Sequence, residues 1–355
     1  MLKSFGRVSA LAFLFVFTLG AVIPPMSGTA VEKYIQKKLK RNDKILRINE
    51  KNLGDTGLAV LAQSPSVRSV TTLVLYKVHI SDEGIRALAE SPNMKNLEAL
   101  HLEHNFITDE GVKIIASSAT FSKLKILNLY HNRITDEGAK AIADSDTLTQ
   151  LKELNLNYNQ IEGPGAIELT HSKKLLQLHN IQLAYNPIEK SGQQAWKRFQ
   201  LTEWFKDLHR NNRLNQVGEA LIGNFGVMVL LDFPFISELE VLDLKNNDLT
   251  DEAVIALSRS DKLKSLVSLN LSQNNITDAG AQALAASKNL EKLKTLDLNF
   301  NRIGDEGAKA IAESPRLANL KSLKLGQNKI GAEGARALNE SKNLKNLTHP
   351  IFGFY

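Results

Sequence analysis

The sequence contains no cysteine in its 355 residues. A chain without thiols holds no cysteine nucleophile, no cysteine-ligated zinc ion, no iron–sulfur cluster and no disulfide bond. This absence leaves the redox compartment open, because such a chain is compatible with oxidising and with reducing surroundings.

A dense basic segment is also missing, and the net charge is only +6 with both signs mixed along the chain. We therefore predict no nucleic-acid partner, since such binding depends on a concentrated basic patch. Aromatic residues make up only 6% of the chain, but the apolar fraction of 43% is enough for a folded core.

Catalytic signatures are absent as well. The sequence has no Gly-x-Ser-x-Gly nucleophile turn, no phosphate-binding loop and no His-Glu-x-x-His zinc motif. We therefore predict that the protein is not an enzyme and uses no cofactor. A hydrolase within an irregular stretch, residues 187–241, is the least favoured alternative, because no nucleophile–base pair is recognisable there.

Residues 1–30 have the pattern of an export signal. Two basic residues precede an apolar run at residues 8–23, and the small residues Gly28 and Ala30 occupy the positions that a signal peptidase requires. We predict a secreted or cell-envelope protein. The alternative is an uncleaved segment that anchors the protein to a membrane through residues 8–23, although this run is shorter than the roughly 20 residues of a full span.

A 27-residue unit repeats through most of the remaining chain, from residue 44 to 347. Its template is Leu-x-Leu-x-x-Asn-x-Ile/Leu followed by an amphipathic segment. We count about eleven units, three of them degraded, beginning near residues 45, 72 and 207. The recurring asparagines are Asn105, Asn132, Asn159, Asn186, Asn247, Asn274, Asn301 and Asn328.

Each position of the unit has a physical role. The Leu-x-Leu alternation predicts a short strand with its leucines inward. An inward asparagine offers donors and an acceptor, so a ladder of asparagines can bond the backbone where the chain leaves each strand. Threonine and the Asp-Glu pairs at 109–110, 136–137 and 305–306 open the helices as caps.

These features resemble leucine-rich repeat proteins of the ribonuclease-inhibitor type. The segments Gly-Ala-Lys-Ala-Ile-Ala at 138–143 and 307–312, and Gly-Ala-Gln-Ala-Leu-Ala at 280–285, resemble the GALA variant that is frequent in bacterial proteins acting on host cells. The resemblance implies a right-handed α/β horseshoe, with a parallel sheet on the concave face and helices on the convex face. It implies a scaffold that binds another protein, and the partner stays unidentified.

Two known functions of related bacterial proteins fit this chain poorly. Residues 31–43 predict only a capping helix, which is too short for the F-box domain of some GALA-repeat effectors. The chain also lacks the catalytic cysteine of other leucine-rich repeat effectors. We predict an exported interaction scaffold, in keeping with a bacterial effector or surface factor. The alternative is a cytosolic adaptor that presents targets to host ubiquitin machinery.

Aromatic and histidine side chains recur on neighbouring predicted strands of the N-terminal half. Adjacent strands lie about 4.8 Å apart, so these side chains should form one contiguous patch suited to a protein interface. The alternative is that the rings only stack along the sheet and stabilise it. The predicted partner-binding residues are Tyr76, His101, His104, Tyr130, His131, Tyr158 and Tyr185.

The same histidines raise the question of a metal. His104 and His131 are equivalent positions of adjacent units, and Glu103 and His101 are nearby in sequence. A metal site needs tight geometry and supporting hydrogen bonds around its ligands. We predict a surface pair of histidines and no metal.

The irregular residues 187–241 hold both tryptophans and several phenylalanines. One interpretation is that these large side chains fill a longer, degraded unit, in which the ladder template survives at Asn212. The other is an exposed aromatic bulge for a partner, or a hinge. Residues 348–355 are predicted to cover the C-terminal end of the repeats, as residues 31–43 cover the N-terminal end.

Overall fold

The computed structural model describes residues 26–348, which form two compact units, residues 26–189 and residues 190–348. Most of the predicted export signal and of the C-terminal tail, namely residues 1–25 and 349–355, lie outside the described residues. No helix within the described part of the chain is both long and apolar enough to cross a bilayer.

The first unit contains a parallel sheet of six strands in sequence order. Neighbouring strands pair in a constant register of 27 residues, so that Leu100 lies opposite Leu127 and Leu127 opposite Leu154. The leucines of the template are fully buried, as the alternation predicts. The strands are β1 (Ile45–Asn49), β2 (Thr72–Tyr76), β3 (Ala99–His101), β4 (Ile126–Asn128), β5 (Glu153–Asn155) and β6 (Asn180–Gln182).

A helix alternates with each of these strands. In α4 and α5 a threonine is the N-cap, and its hydroxyl accepts a hydrogen bond from the second amide of the helix. Buried glycine, alanine and isoleucine residues form the inner face of these short helices. The helices are α1 (Gly28–Leu39), α2 (Gly54–Gln63), α3 (Asp82–Ala89), α4 (Asp109–Ser117), α5 (Asp136–Ala143) and α6 (Gly163–Thr170).

The N-terminal helix α1 covers the first repeat. Its residues Val31 and Ile35 are buried, and the hydroxyl of Ser27 accepts a hydrogen bond from the amide of Ala30, 3.4 Å away. The helix begins at Gly28, three residues before the start of the predicted capping segment.

The second unit contains a parallel sheet of four strands and its own core. Its strands also pair in a 27-residue register. Its elements are α7 (Lys190–Arg210), α8 (Gly223–Leu231), β7 (Val241–Asp243), α9 (Asp251–Arg259), β8 (Ser268–Asn270), α10 (Asp278–Ala286), β9 (Thr295–Asp297), α11 (Asp305–Glu313), β10 (Ser322–Lys324) and α12 (Ala332–Asn339).

The structure forms no strand in the degraded unit near residue 207, and the ladder template does not survive at Asn212. Within residues 26–348, α7 runs for 21 residues, and a 3-10 turn at Leu214–Val217 stands where a strand would follow. The ladder position of this repeat is Ala220, because the amide of Asn247 reaches back to the carbonyl of Val217. Asn212 instead ends the turn after α7, where its amide donates to His209.

The alternation of helix and parallel strand in both units confirms the predicted α/β repeat architecture. The strands line one side of each unit and the helices follow each strand at a fixed spacing. The face formed by the strands is called the strand face below.

Candidate functional site

Five of the predicted partner-binding rings lie in the turns that follow strands β3 to β6, while Tyr76 and His101 are the last residues of β2 and β3. One residue in each turn adopts a left-handed backbone: φ is 55° at His104, 53° at His131, 57° at Tyr158 and 61° at Tyr185. This conformation is uncommon outside glycine and asparagine, and it is unfavourable for a large aromatic residue. The repeat therefore fixes the direction of these side chains, and it does so at an energetic cost.

The ladder asparagines hold these turns. The side-chain amide of Asn132 donates to the carbonyls of Leu102 and Leu129, at 3.0 and 3.1 Å, and its carbonyl oxygen accepts from the amide of Ile107 at 3.1 Å. Each of these bonds satisfies a buried backbone group that has no strand partner. The same pattern of bonds to the preceding repeat occurs at Asn105, Asn159, Asn186, Asn247, Asn274, Asn301 and Asn328.

The rings of successive repeats form one continuous line, here called the aromatic row. Its members are six of the seven predicted residues, and each ring contacts the next. Centroid distances are 5.3 Å for Tyr76–His104, 5.1 Å for His104–Tyr130, 4.4 Å for His104–His131, 5.1 Å for Tyr130–Tyr158 and 4.1 Å for Tyr158–Tyr185.

The geometry of the row decides which atoms a ligand meets. Tyr158 and Tyr185 stack with an angle of 16° between their planes, and His104 and His131 with 28°. These rings turn their faces to one another, so edges and polar atoms are left for contact. Exposure rises along the row and reaches 71% at Tyr185, whose outer face is open within this unit.

His101 lies beside the row and makes a polar contact. Its Nδ1 atom is 3.5 Å from Oε1 of Glu103, which also accepts a hydrogen bond from the side-chain amide of Asn128 at 2.6 Å. The second carboxylate oxygen of Glu103 is buried without a hydrogen-bond partner. This oxygen is an unpaired acceptor that lies buried next to the row.

Models of known families match the repeats of both units. A leucine-rich repeat model matches residues 93–116, 238–258, 262–285, 289–312 and 316–338, and a model of two leucine-rich repeat copies matches residues 122–168. The chain is a leucine-rich repeat protein. No curated protein sequence matches it.

Solved structures with similar repeats include an internalin (inlF) of Listeria monocytogenes, at 20% identity and a TM-score of 0.28 over 95% of this chain and 100% of that one. The structure of the Arabidopsis receptor kinase HAESA in complex with the peptide hormone IDA and the co-receptor SERK1 matches at 18% identity, with a TM-score of 0.24 over 77% of this chain and 36% of that one. Because these TM-scores are low, the family assignment rests on the repeat models.

Two side chains of the row in this leucine-rich repeat protein have shifted pKa values. Burial lowers the pKa of His104, and the neighbouring His131 and Lys77 lower it further. Burial also raises the pKa of Tyr158, together with its hydrogen bond to Tyr185. Both shifts favour the uncharged forms of His104 and Tyr158.

A second line of side chains, which the sequence analysis missed, lies directly beyond the row. The Phe106 ring is 6.1 Å from the His79 ring, and the guanidinium carbon of Arg133 lies 5.0 Å from the Phe106 centroid. These three residues follow one another at intervals of 27, so their common position in the repeat was the signal that could have revealed them. They extend the polar and aromatic surface around the ends of the strands.

The described residues contain no group of three or more histidine, aspartate or glutamate side chains arranged to hold a metal ion. His104 and His131 stack through their rings, a geometry in which their nitrogens do not converge on one point.

The aromatic residues of the irregular stretch pack within the second unit. Phe205 is fully buried and Phe235 nearly so, and Phe233 stacks on Phe235 at 4.8 Å. Both buried rings belong to the core of residues 190–348. This packing favours the structural interpretation of the stretch. Leu221 is the exception, since it is 65% exposed in a left-handed turn.

Proposed function

We propose that this leucine-rich repeat protein is an exported scaffold that binds another protein through the strand face of its first unit. The repeat scaffold is typical of protein–protein interaction. The aromatic row is the observation that supports this site. No reaction is proposed.

The cost of the row argues that it serves binding. Tyr158 and Tyr185 occupy left-handed turns, a backbone that is uncommon for large side chains, and the equivalent positions of the second unit hold Asn246, Gln273, Phe300 and Gln327. In the second unit one ring, that of Phe300, holds this position, whereas four consecutive repeats of the first unit place a ring there, so the strained positions are concentrated at the row. Tyrosine also gives large contact area at low entropic cost, which protein interfaces use.

The alternative, stacking for stability alone, fits the exposed end of the row poorly. Tyr185 leaves 71% of its surface in solvent and contacts Tyr158 on one side only. A ring recruited only for stability would be expected to bury more of its area.

Export is a second part of the proposal and depends on residues 1–30. An intact mass that begins at Val31, measured on protein from the medium or the envelope, supports it. A full-length mass in the membrane fraction supports the anchor at residues 8–23, and a full-length soluble mass contradicts export.

The GALA subtype and a bacterial origin are also proposals, supported by the Gly-Ala-x-Ala segments at 138–143, 280–285 and 307–312.

The test of the interface uses a partner captured with the wild-type protein and then purified. Replacing Tyr130, Tyr158 and Tyr185 together by alanine should weaken binding by about 3–6 kcal/mol, at about 1–2 kcal/mol for each ring. The matched control is Phe300→Ala, because Phe300 is an exposed ring in the same left-handed position of the second unit. Equal affinity of the triple variant and the wild type, or an equal loss with Phe300→Ala, contradicts the proposed site.

A further inference from the structure

We infer that the aromatic row is a proton-dependent interface whose partner is an extended, carboxylate-rich protein segment. This inference rests on the proposed function and specifies the partner and the conditions of binding. It is carried by the distribution of histidines and fixed charges around the row.

Four of the eight histidines of the chain lie on three consecutive repeats at this edge of the first unit. His104 and His131 belong to the row itself. His79 lies beside Phe106 in the second line, and His101 lies 3.5 Å from Glu103. Histidine is the side chain whose charge changes between pH 5 and 8, so protonation adds several positive charges within a small area.

The fixed charges around these histidines are mainly positive. Lys77 faces His104, and Arg133 lies over Phe106. Glu103 is the carboxylate that faces His104 and His101, and the other titratable groups in contact are the tyrosines of the row. Protonation of His101 places its charge against Glu103. Because Glu103 is shared between His101 and His104, this one carboxylate offsets only part of the positive charge that the histidines add beside Lys77 and Arg133.

Two stacked imidazoles 4.4 Å apart repel each other when both are charged. A carboxylate from a partner offsets this repulsion and supplies acceptors for their N–H groups. The exposed ring edges carry partial positive charge, which also suits carboxylate and carbonyl oxygens. The chemistry of the row is therefore complementary to an anionic ligand in its protonated state.

The shape of the row favours one extended chain over a membrane surface. The row is one or two rings wide, with two at Tyr130 and His131, and crosses four strand spacings, which amounts to about 19 Å. An extended segment of about six residues covers this length. Edge-on rings with directional N–H and O–H groups suit backbone carbonyls and glutamate or aspartate side chains.

The sign of the pH dependence follows from the binding of protons. A carboxylate partner raises the pKa of the histidines that it contacts, so the complex holds more protons than the free protein. Affinity therefore increases as the pH falls through the histidine range and decreases as it rises. Glutamate stays ionised at pH 5.5, because its usual pKa is about 4.3.

The probe is a rhodamine-labelled octaglutamate peptide, with octalysine as the opposite-charge control, measured by fluorescence anisotropy on the whole protein. We expect the dissociation constant for octaglutamate to be at least about tenfold lower at pH 5.5 than at pH 7.5. NMR titration of the imidazole rings should show higher pKa values for His104 and His131 when the peptide is present.

The variant His104→Gln with His131→Gln should remove most of this pH dependence. His179→Gln is the matched control, since His179 is exposed and precedes β6, at the end of the strand away from the turn that carries Tyr185. Vesicles containing phosphatidylglycerol test the other source of anionic groups.

Equal affinity at the two pH values, tighter binding of octalysine, or binding to the vesicles without binding to octaglutamate overturns the inference. So does a pH dependence that survives in the double glutamine variant. If the tyrosine variant loses its captured partner while the octaglutamate profile is flat, the proposed function stands and only this inference fails. If the tyrosine variant keeps its partner, the proposed function fails independently.

Discussion

The carboxylate of Asp109 is bound twice by Thr135, a residue of the next repeat. Its Oδ1 atom accepts a hydrogen bond from the Thr135 amide at 2.8 Å, and its Oδ2 atom accepts one from the Thr135 hydroxyl at 2.6 Å. The amide of Gly138 also donates to Oδ1, at 3.0 Å. An aspartate at the start of one helix therefore caps the helix of the following repeat.

This arrangement corrects part of the sequence interpretation, in which each Asp-Glu pair caps its own helix. The glutamate lies exposed in the first turn, and the aspartate links two repeats. Equivalent bonds to the following repeat are made by Asp55, Asp82, Asp136, Asp251, Asp278 and Asp305.

Replacing Asp109 by alanine should lower the free energy of unfolding by about 2–4 kcal/mol, because three hydrogen bonds to a charged acceptor are lost together. Urea denaturation followed by circular dichroism measures the change. Glu110→Ala is the control, since Glu110 makes only an exposed ion pair with Lys113 and should change stability by less than about 1 kcal/mol. Equal effects of the two substitutions would contradict the linking role of Asp109.

The close approach of this aspartate explains the recurring glycine. A β-carbon at Gly138 would lie 2.5 Å from Oδ1 of Asp109. Where the preceding repeat carries Asn224 in place of aspartate, the glycine is replaced by Ala253, which is fully buried. The apolar residue four positions earlier also limits this space, since a β-carbon would lie 2.7 Å from Cγ2 of Ile134 at Gly138 and 2.4 Å from Cβ of Ile222 at Gly226, which faces no aspartate.

Gly138→Ala should therefore destabilise the protein by about 1–3 kcal/mol, although alanine favours helices over glycine. Ala253→Gly is the control and should cost only about 1 kcal/mol from lost helix propensity. Thermal unfolding of both variants provides the measurement. Stabilisation by Gly138→Ala would show that the contact with Asp109 relaxes at no cost.

Much of the fold was predictable because one short pattern repeats. The buried leucines follow from the Leu-x-Leu alternation, and the 27-residue register follows from their spacing, as the pairing of Leu100 with Leu127 shows. The interruption at α7 was not predictable in this way. Its 21 residues follow no template, and the exact place of a helix end depends on tertiary packing around Phe205.

The candidate site was predictable in its membership but not in its geometry. Equal positions in adjacent repeats place His104 next to His131, which the sequence shows. The stacking angle of these two rings depends on side-chain rotamers, which the spacing does not determine. The contact of His101 with Glu103, apart from the row, depends on rotamers in the same way. The aspartate bonds were missed because they join residues 26 and 29 positions apart, outside any local motif.

Asn132→Ala should cost about 2–4 kcal/mol, because it leaves the buried amide of Ile107 without a partner and removes one of the two asparagine donors from each of the carbonyls of Leu102 and Leu129. The control is Asn96→Ala. Asn96 also bonds a backbone carbonyl of the preceding repeat, that of Arg68, but does so at the surface, so water can replace it. Urea denaturation should give a change below about 1 kcal/mol for this control, and a similarly small change for Asn132→Ala would contradict the ladder as a source of stability.

The lowered pKa of His104 should make the unliganded protein less stable in mild acid. Its pKa in the folded protein is lowered by burial, His131 and Lys77, so the unfolded chain binds a proton more readily than the folded one. This contribution to stability is complete above the unfolded pKa of about 6.5 and is lost as the pH falls through the histidine range. Urea denaturation at pH 7.5 and 5.5 should therefore show a smaller loss of stability in His104→Gln than in the wild type, while His179→Gln should behave as the wild type. A larger loss in His104→Gln would mean that the charged form of His104 is stabilised in the folded protein, by Glu103 or another group, and that the row takes up protons before any partner arrives.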